Sequence, residues 1–147
     1  MTPIPKWYRP VALLALLWNL LGCFAFLSDM LVTAEDISRM SPAQQTLFAS
    51  RTGWAVSATA IAVCGGAAGS FALLRRSHWA LPLLLASLAG LAVQDAGLLL
   101  VPDVWSLAGP VPFLLQGLVL AIAVLLILLA RKAASRGWLS RNPLTPE

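Results

Sequence analysis

The sequence predicts an all-α membrane protein: four transmembrane helices in an up-down-up-down bundle, with a short amphipathic helix in the outer loop between the first two. Three observations carry this. Of 147 residues, 59% are hydrophobic and 11% charged, whereas a soluble domain is about half apolar and about a quarter charged. The apolar residues fall into four runs of about 20, the length at which a helix crosses ~30 Å of hydrocarbon. The basic residues cluster between those runs and not inside them.

The runs span 10–31, 52–74, 79–101 and 111–130, followed by a tail over 131–147, all within a single transmembrane domain. Backbone polar groups in lipid must be paired within the segment, so runs of this length mean helices. Pro10, Pro82 and Pro112 fall in or near the first turn of their runs, where a missing N–H costs little. Val32-Thr33-Ala34 satisfies a signal-cleavage pattern. The apolar stretch before it is longer than the ~7–15 residues typical of a signal peptide, so the first helix is expected to be retained.

The longest loop reads TAEDISRMSPAQQTLFASRT. Ser41, Pro42 and Gln44 have the pattern of an N-cap, an N1 proline and a capping-box partner. Ile37, Met40, Leu47 and Phe48 recur at helical spacing, which predicts one amphipathic helix on the outer membrane surface. RRSH is a tight inner turn and PDVWSLAGP a short outer loop. Short connections make sequential helices antiparallel neighbours.

Lys6, Arg9, Arg75, Arg76, Arg131, Lys132, Arg136 and Arg141 flank one side, and Arg39 and Arg51 the other. That asymmetry predicts both termini in the cytoplasm. Trp7, Trp54, Trp79, Trp105 and Trp138 then lie near helix ends, as interfacial aromatics do. Trp18 lies well inside the first helix.

The stretch GLAVQDAGLLL puts Gln94 and Asp95 at membrane depth. Asp95 is about six residues, or roughly 9 Å, below the outer end of its run. Gln116 enters the fourth run at similar depth. Ser28 and Asp29 end the first run on that side, and Ser57 and Thr59 occupy the outer turns of the second. A polar pocket open to the outside explains this convergence, with Asp95, Gln94, Gln116 and Asp29 as a ligand-binding or proton site. A charged Asp at a helix centre costs ~2.5–3.5 kcal/mol on insertion scales, and no Lys or Arg lies within the runs to offset it. The alternative is an interhelical hydrogen bond, which in membranes averages only ~0.6 kcal/mol yet sets helix register.

Asn19, in ALLWNLLGC, is a second buried polar candidate, poised to bond a backbone carbonyl or Ser87 across a helix contact. The segment CGGAAGSFA carries Gly65 and Gly69 as GxxxG, and Ala62, Gly66 and Ser70 repeat the pattern one position on. Gly65, Gly66, Gly69 and Ser70 thus form a helix-packing seam, used within the bundle, in a homodimer or against a partner.

Several classes are excluded. The net charge of +4 invites a nucleic-acid reading, but its clustering between apolar runs is that of membrane topology. Cys23, Cys64 and the single His78 form no metal-ligand set and no CxxC pair, so no metal or cofactor is expected. The thiols read as buried small hydrophobes. No base or metal ligand joins Asp29 and Asp95, so the chain is not expected to be an enzyme.

The segments WYRPVALLALLWNLLGCFAF, SPAQQTLFASRTGWA, LLRRSHWALPLLLASLAGLAVQ and RKAASRGWL resemble a family of small four-helix bacterial inner-membrane proteins, some of which carry the label sugar transporter. The resemblance covers nearly the whole chain. This chain has Thr52-Gly53-Trp54 where many relatives have proline before the tryptophan. It implies the four-span topology and the bacterial inner membrane; the transporter label has no residue-level basis in this chain.

Two functions follow as expectations. The first is an accessory or structural subunit packed against a larger membrane complex, with other membrane protein subunits and the lipid bilayer as partners. The second is a small transporter or ligand-binding membrane protein, working as a homodimer, with an outward-facing polar pocket around Asp95. Four-helix multidrug exporters work as dimers around a membrane carboxylate, but on a Glu of the first helix that this chain lacks. Under the second reading, Asp95→Asn is expected to abolish ion-coupled transport in vesicles; undiminished uptake by that variant would remove it.

Overall fold

The computed structural model describes residues 3–139. Those residues form seven helices and no strand: α1 (Tyr8–Met30), α2 (Ala34–Ser38), α3 (Pro42–Ala49), α4 (Gly53–Leu74), α5 (Ala80–Leu99), α6 (Val104–Ala108) and α7 (Pro110–Ser135). α1, α4, α5 and α7 are long and apolar enough to cross a membrane. Over its most apolar 18 residues the mean hydropathy is 1.5 in α5 and 2.9 in α7. The low value of α5 reflects the Ser87, Gln94 and Asp95 it carries. α7 runs through Arg131 and Lys132 to Ser135, five residues past the predicted span, and its last turn sets a cation against the helix dipole. Arg141 and the rest of the tail from residue 140 lie outside the described residues.

Side-chain size is sorted opposite to a water-soluble bundle. The core is rich in alanine: Ala12, Ala15, Ala58, Ala62, Ala72, Ala80, Ala130 and Ala133 are buried. Leu14, Leu21, Phe24, Leu114 and Leu125 are between 63% and 73% exposed. Lipid solvates large apolar side chains, so helices in a bilayer gain from close backbone approach and place small residues between them. The chain is a multi-pass membrane protein by this sorting as well as by helix length.

The closest approach is between α4 and α5. Ala58, Ala62, Gly65, Gly69 and Ala72 on α4 follow a four-three spacing, as do Leu83, Ser87, Gly90, Gln94 and Gly97 on α5. Such spacing keeps one stripe of each helix facing its partner. A Cβ on Gly90 would lie 2.7 Å from the Ala58 carbonyl oxygen and 2.8 Å from the Ala62 nitrogen. One on Gly65 would lie 3.1 Å from the Ser87 nitrogen, and one on Gly69 2.7 Å from Leu84 Cγ. Ser87 Oγ donates to the Ala62 carbonyl at 2.6 Å. The Gly65/Gly69 part of the seam is therefore filled within the chain.

One end of the bundle is tied by helix termini. α4 ends with Arg76 at φ 56°, where the Ser77 N–H reaches the Ala72 carbonyl at 2.8 Å and the Arg76 N–H the Leu73 carbonyl at 2.9 Å. α7 ends the same way on Gly137, with the Trp138 N–H on the Ala133 carbonyl at 2.9 Å. Both are Schellman caps, which pair the last carbonyls of a helix. Tyr8 is fully buried between them, and its hydroxyl donates to the Leu73 carbonyl at 2.9 Å. Trp138 packs edge-on against Tyr8 at 5.7 Å. Its 4% exposure corrects the expectation of an interfacial tryptophan, because the cap folds the chain back onto α1.

At the other end the loop forms two short helices where one was expected. Ser41 caps α3 in extended backbone, with Gln44 closing the box, so α2 cannot continue into α3. Ile37 lies on α2, Met40 between the helices, and Leu47 and Phe48 on α3. Thr33 and Asp36 form a second capping box at the start of α2. The loop before α7 also holds a short helix, α6, which packs against α3.

Two outcomes are expected. Gly90→Ala forces α4 and α5 apart against backbone, and is expected to cost ~1–3 kcal/mol in thermal unfolding in detergent. Gly117→Ala meets nothing within 4 Å and is expected to be neutral or to gain up to ~1 kcal/mol; equal losses in both would refute the seam. Hydrogen bonds from Thr33 hold the Asp36 carboxyl below its ordinary range. A lowered folded pKa contributes stability above the unfolded value of about 3.9, lost as pH falls through the folded value. Amide exchange at Thr33 is expected to quicken selectively below about pH 4, and unaltered protection there would rule out the box as a support for α2.

Candidate functional site

α1 packs along α4, and α7 along α5. At the basic end, Ala12 and Ala15 of α1 share one apolar core with Leu126, Ile127 and Ala130 of α7. Toward the loop end α1 and α7 part, and a cavity of about 340 Å³ lies between the four long helices. Trp18, Asn19 and Gly22 of α1 line it, with Ala62 and Gly66 of α4, Ser87 and Gln94 of α5, and Gln116 and Ala123 of α7. A second cavity, also about 340 Å³, lies nearer the loops, between Asp29, Leu47, Arg51, Thr59, Gln94, Gly97 and Ala108.

Each polar side chain of the inner cavity has a local reason for its pose. Asn19 Nδ2 donates to the Ala15 carbonyl at 2.9 Å and to Ser70 Oγ at 3.0 Å. Its interhelical partner is thus Ser70, and Ser87 is committed to Ala62. Gly66 makes room for Asn19: a Cβ there would sit 2.1 Å from Asn19 Oδ1. Gly66 and Ser70 therefore receive α1, whereas Gly65 and Gly69 receive α5. Gln116 Nε2 donates to Asp95 Oδ1, joining α7 to α5.

The five predicted polar candidates are divided by the fold. Asn19, Gln94 and Gln116 line the inner cavity. Asp29 lines the outer one with Gln94. Asp95 lines neither, and acts on the cavity through Gln116. Asp29 accepts a hydrogen bond from Arg51 Nη1, an ion pair that joins the end of α1 to the start of α4. The Arg51 guanidinium also lies over the Phe48 ring, 4.5 Å from its centre. Exposed pairs of this kind contribute ~1 kcal/mol or less.

Arg51 and Gly90 were not singled out as site-forming in the sequence. Gly90 had a signal, the four-three spacing of Leu83, Ser87, Gly90, Gln94 and Gly97. Cys23 Sγ contacts the Val63 carbonyl at 3.4 Å, while Cys64 is exposed, which corrects the reading of both thiols as buried. Cys64 lies on the outward side of α4, where a small thiol suits lipid.

No charged side chain among the described residues lines the inner cavity. Some of its donors are committed: the Asn19 amide to Ala15 and Ser70, the Ser87 hydroxyl to Ala62, one Gln116 N–H to Asp95; Trp18 and Gln94, which also line it, bring an indole and an amide N–H. The oxygens of Asn19 and Gln116 are left as acceptors. Such a wall suits an uncharged molecule that both donates and accepts hydrogen bonds, since a charge there would lose its hydration without a partner.

Compared with models of protein families, with curated proteins and with solved structures, the chain matches none.

The Asp95–Gln116 bond lends itself to a double-mutant cycle. Gln116→Leu, Asp95→Leu and the pair, unfolded in detergent, are expected to show a coupling of about 0.6 kcal/mol and no more than ~1.7 kcal/mol. A coupling of zero would mean that packing alone seats α7.

Proposed function

We propose that this chain is a bacterial inner-membrane protein that crosses the bilayer four times, up-down-up-down, with both termini cytoplasmic, and binds a small uncharged ligand between α1 and α7. One observation carries the reading: polar side chains from α1, α5 and α7 converge on one cavity in helices otherwise made of apolar residues. Polar groups at membrane depth are costly and commonly mark a ligand or ion path. The basic clusters at Lys6, Arg9, Arg75, Arg76, Arg131, Lys132 and Arg136 support the orientation. The likeness to small four-helix inner-membrane proteins supports the location.

The accessory-subunit reading keeps one observation in its favour. The gap between α1 and α7 leaves Trp18 partly exposed beside an apolar groove, which a helix of a larger complex would fill. Purification of the tagged chain from its host in gentle detergent, followed by native mass spectrometry, separates the two. A small molecule retained on a monomer or homodimer is the expected result. Stoichiometric recovery with another membrane protein, and no retained molecule, would replace ligand binding by the subunit role. For the orientation, a phosphatase that works only outside the cytoplasm is expected to be active when fused after Arg39 and inactive when fused after Ser135. The opposite pattern would invert the topology.

A further inference from the structure

The two cavities meet at one side chain. Among the residues lining them, Gln94 alone belongs to both. It occupies the α5 stripe between Gly90 and Gly97, the positions one turn to either side. Neither neighbour has a side chain, so on this stripe Gln94 is the side chain that borders both cavities. Gly90 lies against the backbone of α4 and Gly97 against Trp54, which anchors the backbone on both sides of it. Gln94 itself is only half-buried, with free volume before and behind it.

We propose that the two cavities form one route into the membrane, gated by Gln94, for a small uncharged molecule bearing hydroxyl or N–H donors. The proposal rests on the ligand-binding reading of the inner cavity. The molecule enters at the loop end beside the Asp29–Arg51 pair, whose two charges offer both a donor and an acceptor. It passes Gln94, whose amide does the same without charge. It then reaches the acceptor oxygens of Asn19 and Gln116. Rotation about the Gln94 side-chain bonds opens the partition with no helix displaced, a motion of the fast rotamer class. Ions are refused at the second stage, because the outer chamber holds charges and the inner one holds none. The chamber volume of about 340 Å³ is at the lower end of ligand pockets, which limits the molecule to a small one.

The test uses the full chain in lipid vesicles with Cys23→Ala and Cys64→Ala. A single reporter thiol is placed in the inner chamber by Ala123→Cys or in the outer one by Thr59→Cys. The probes are 2-hydroxyethyl methanethiosulfonate, which is uncharged and carries a hydroxyl, and its trimethylammonium analogue. The hydroxyethyl reagent is expected to modify both reporters, and the cationic reagent only the outer one. Gln94→Trp is expected to slow the inner reaction about tenfold or more relative to the outer one, with helix content and thermal unfolding in detergent reporting an intact fold. Gln94→Ala is expected to speed the inner reaction, and keeps the test decisive where the larger residue disrupts folding. An inner rate indifferent to residue 94 would overturn the route and point to entry from the bilayer between α1 and α7. Equal modification of the inner reporter by the cation would overturn the selection against charge. A retained small molecule in native mass spectrometry, with labelling indifferent to residue 94, removes the gate alone. Its absence, with labelling that follows residue 94, removes the binding reading alone.

Discussion

The rest of the structure depends on the near-contact of the α4 and α5 backbones. Water does not drive apolar helices together inside a bilayer, so the attraction must come from dispersion over a closely fitted surface. Gly65, Gly69 and Gly90 remove the side chains that would hold the two helices apart. The tight turn over Arg75 to Trp79, capped at Arg76, returns the chain within five residues, so the second helix meets the first in register. The Ser87 hydroxyl then adds a bond to the Ala62 carbonyl across the contact. Its share is small beside the packing, since interhelical hydrogen bonds in membranes average only ~0.6 kcal/mol.

The outer helices are added to that hairpin by different means. α1 is held at four levels: Tyr8 on the Leu73 carbonyl, Asn19 between Gly66 and Ser70, Cys23 on the Val63 carbonyl, and Asp29 on Arg51. α7 is held to α5 by apolar packing around Leu84 and Ile127, and by the Asp95–Gln116 bond. The Tyr8–Trp138 contact joins α1 to the end of α7 at the basic pole. Among the described residues no comparable tie joins them at the loop end, where the cavity lies. The functional proposal grows out of that asymmetry: a hairpin keel, two flanking helices tied to each other at one end, and polar groups lining the gap at the other.

Much of this was legible in the sequence. Four apolar runs of membrane-crossing length, basic clusters between them and polar residues at depth were read directly, and each carries its physical reason locally. The Ser41–Gln44 capping box was equally local. The Thr33–Asp36 box obeys the same local rule, and its helix start ahead of the Ser41 cap makes two loop helices in place of the one expected. The burial of Trp138 was not legible: a tryptophan beside arginines at a helix end fits an interface as well as a core, until Gly137 turns the chain back onto Tyr8.

The sequence by itself determined that the chain is helical, that four of its helices suit a bilayer, and which polar residues lie at depth. Those are properties of length, hydropathy and spacing along one helix at a time. Only the tertiary structure decided which of the polar residues share a space. Depth along an axis is set by residue number, but the direction a side chain faces is set by which stripe of its helix is in contact. Neighbours such as Gln94 and Asp95 point about 100° apart on a helix. One therefore turns into the gap between chambers, and the other turns to Gln116 on α7.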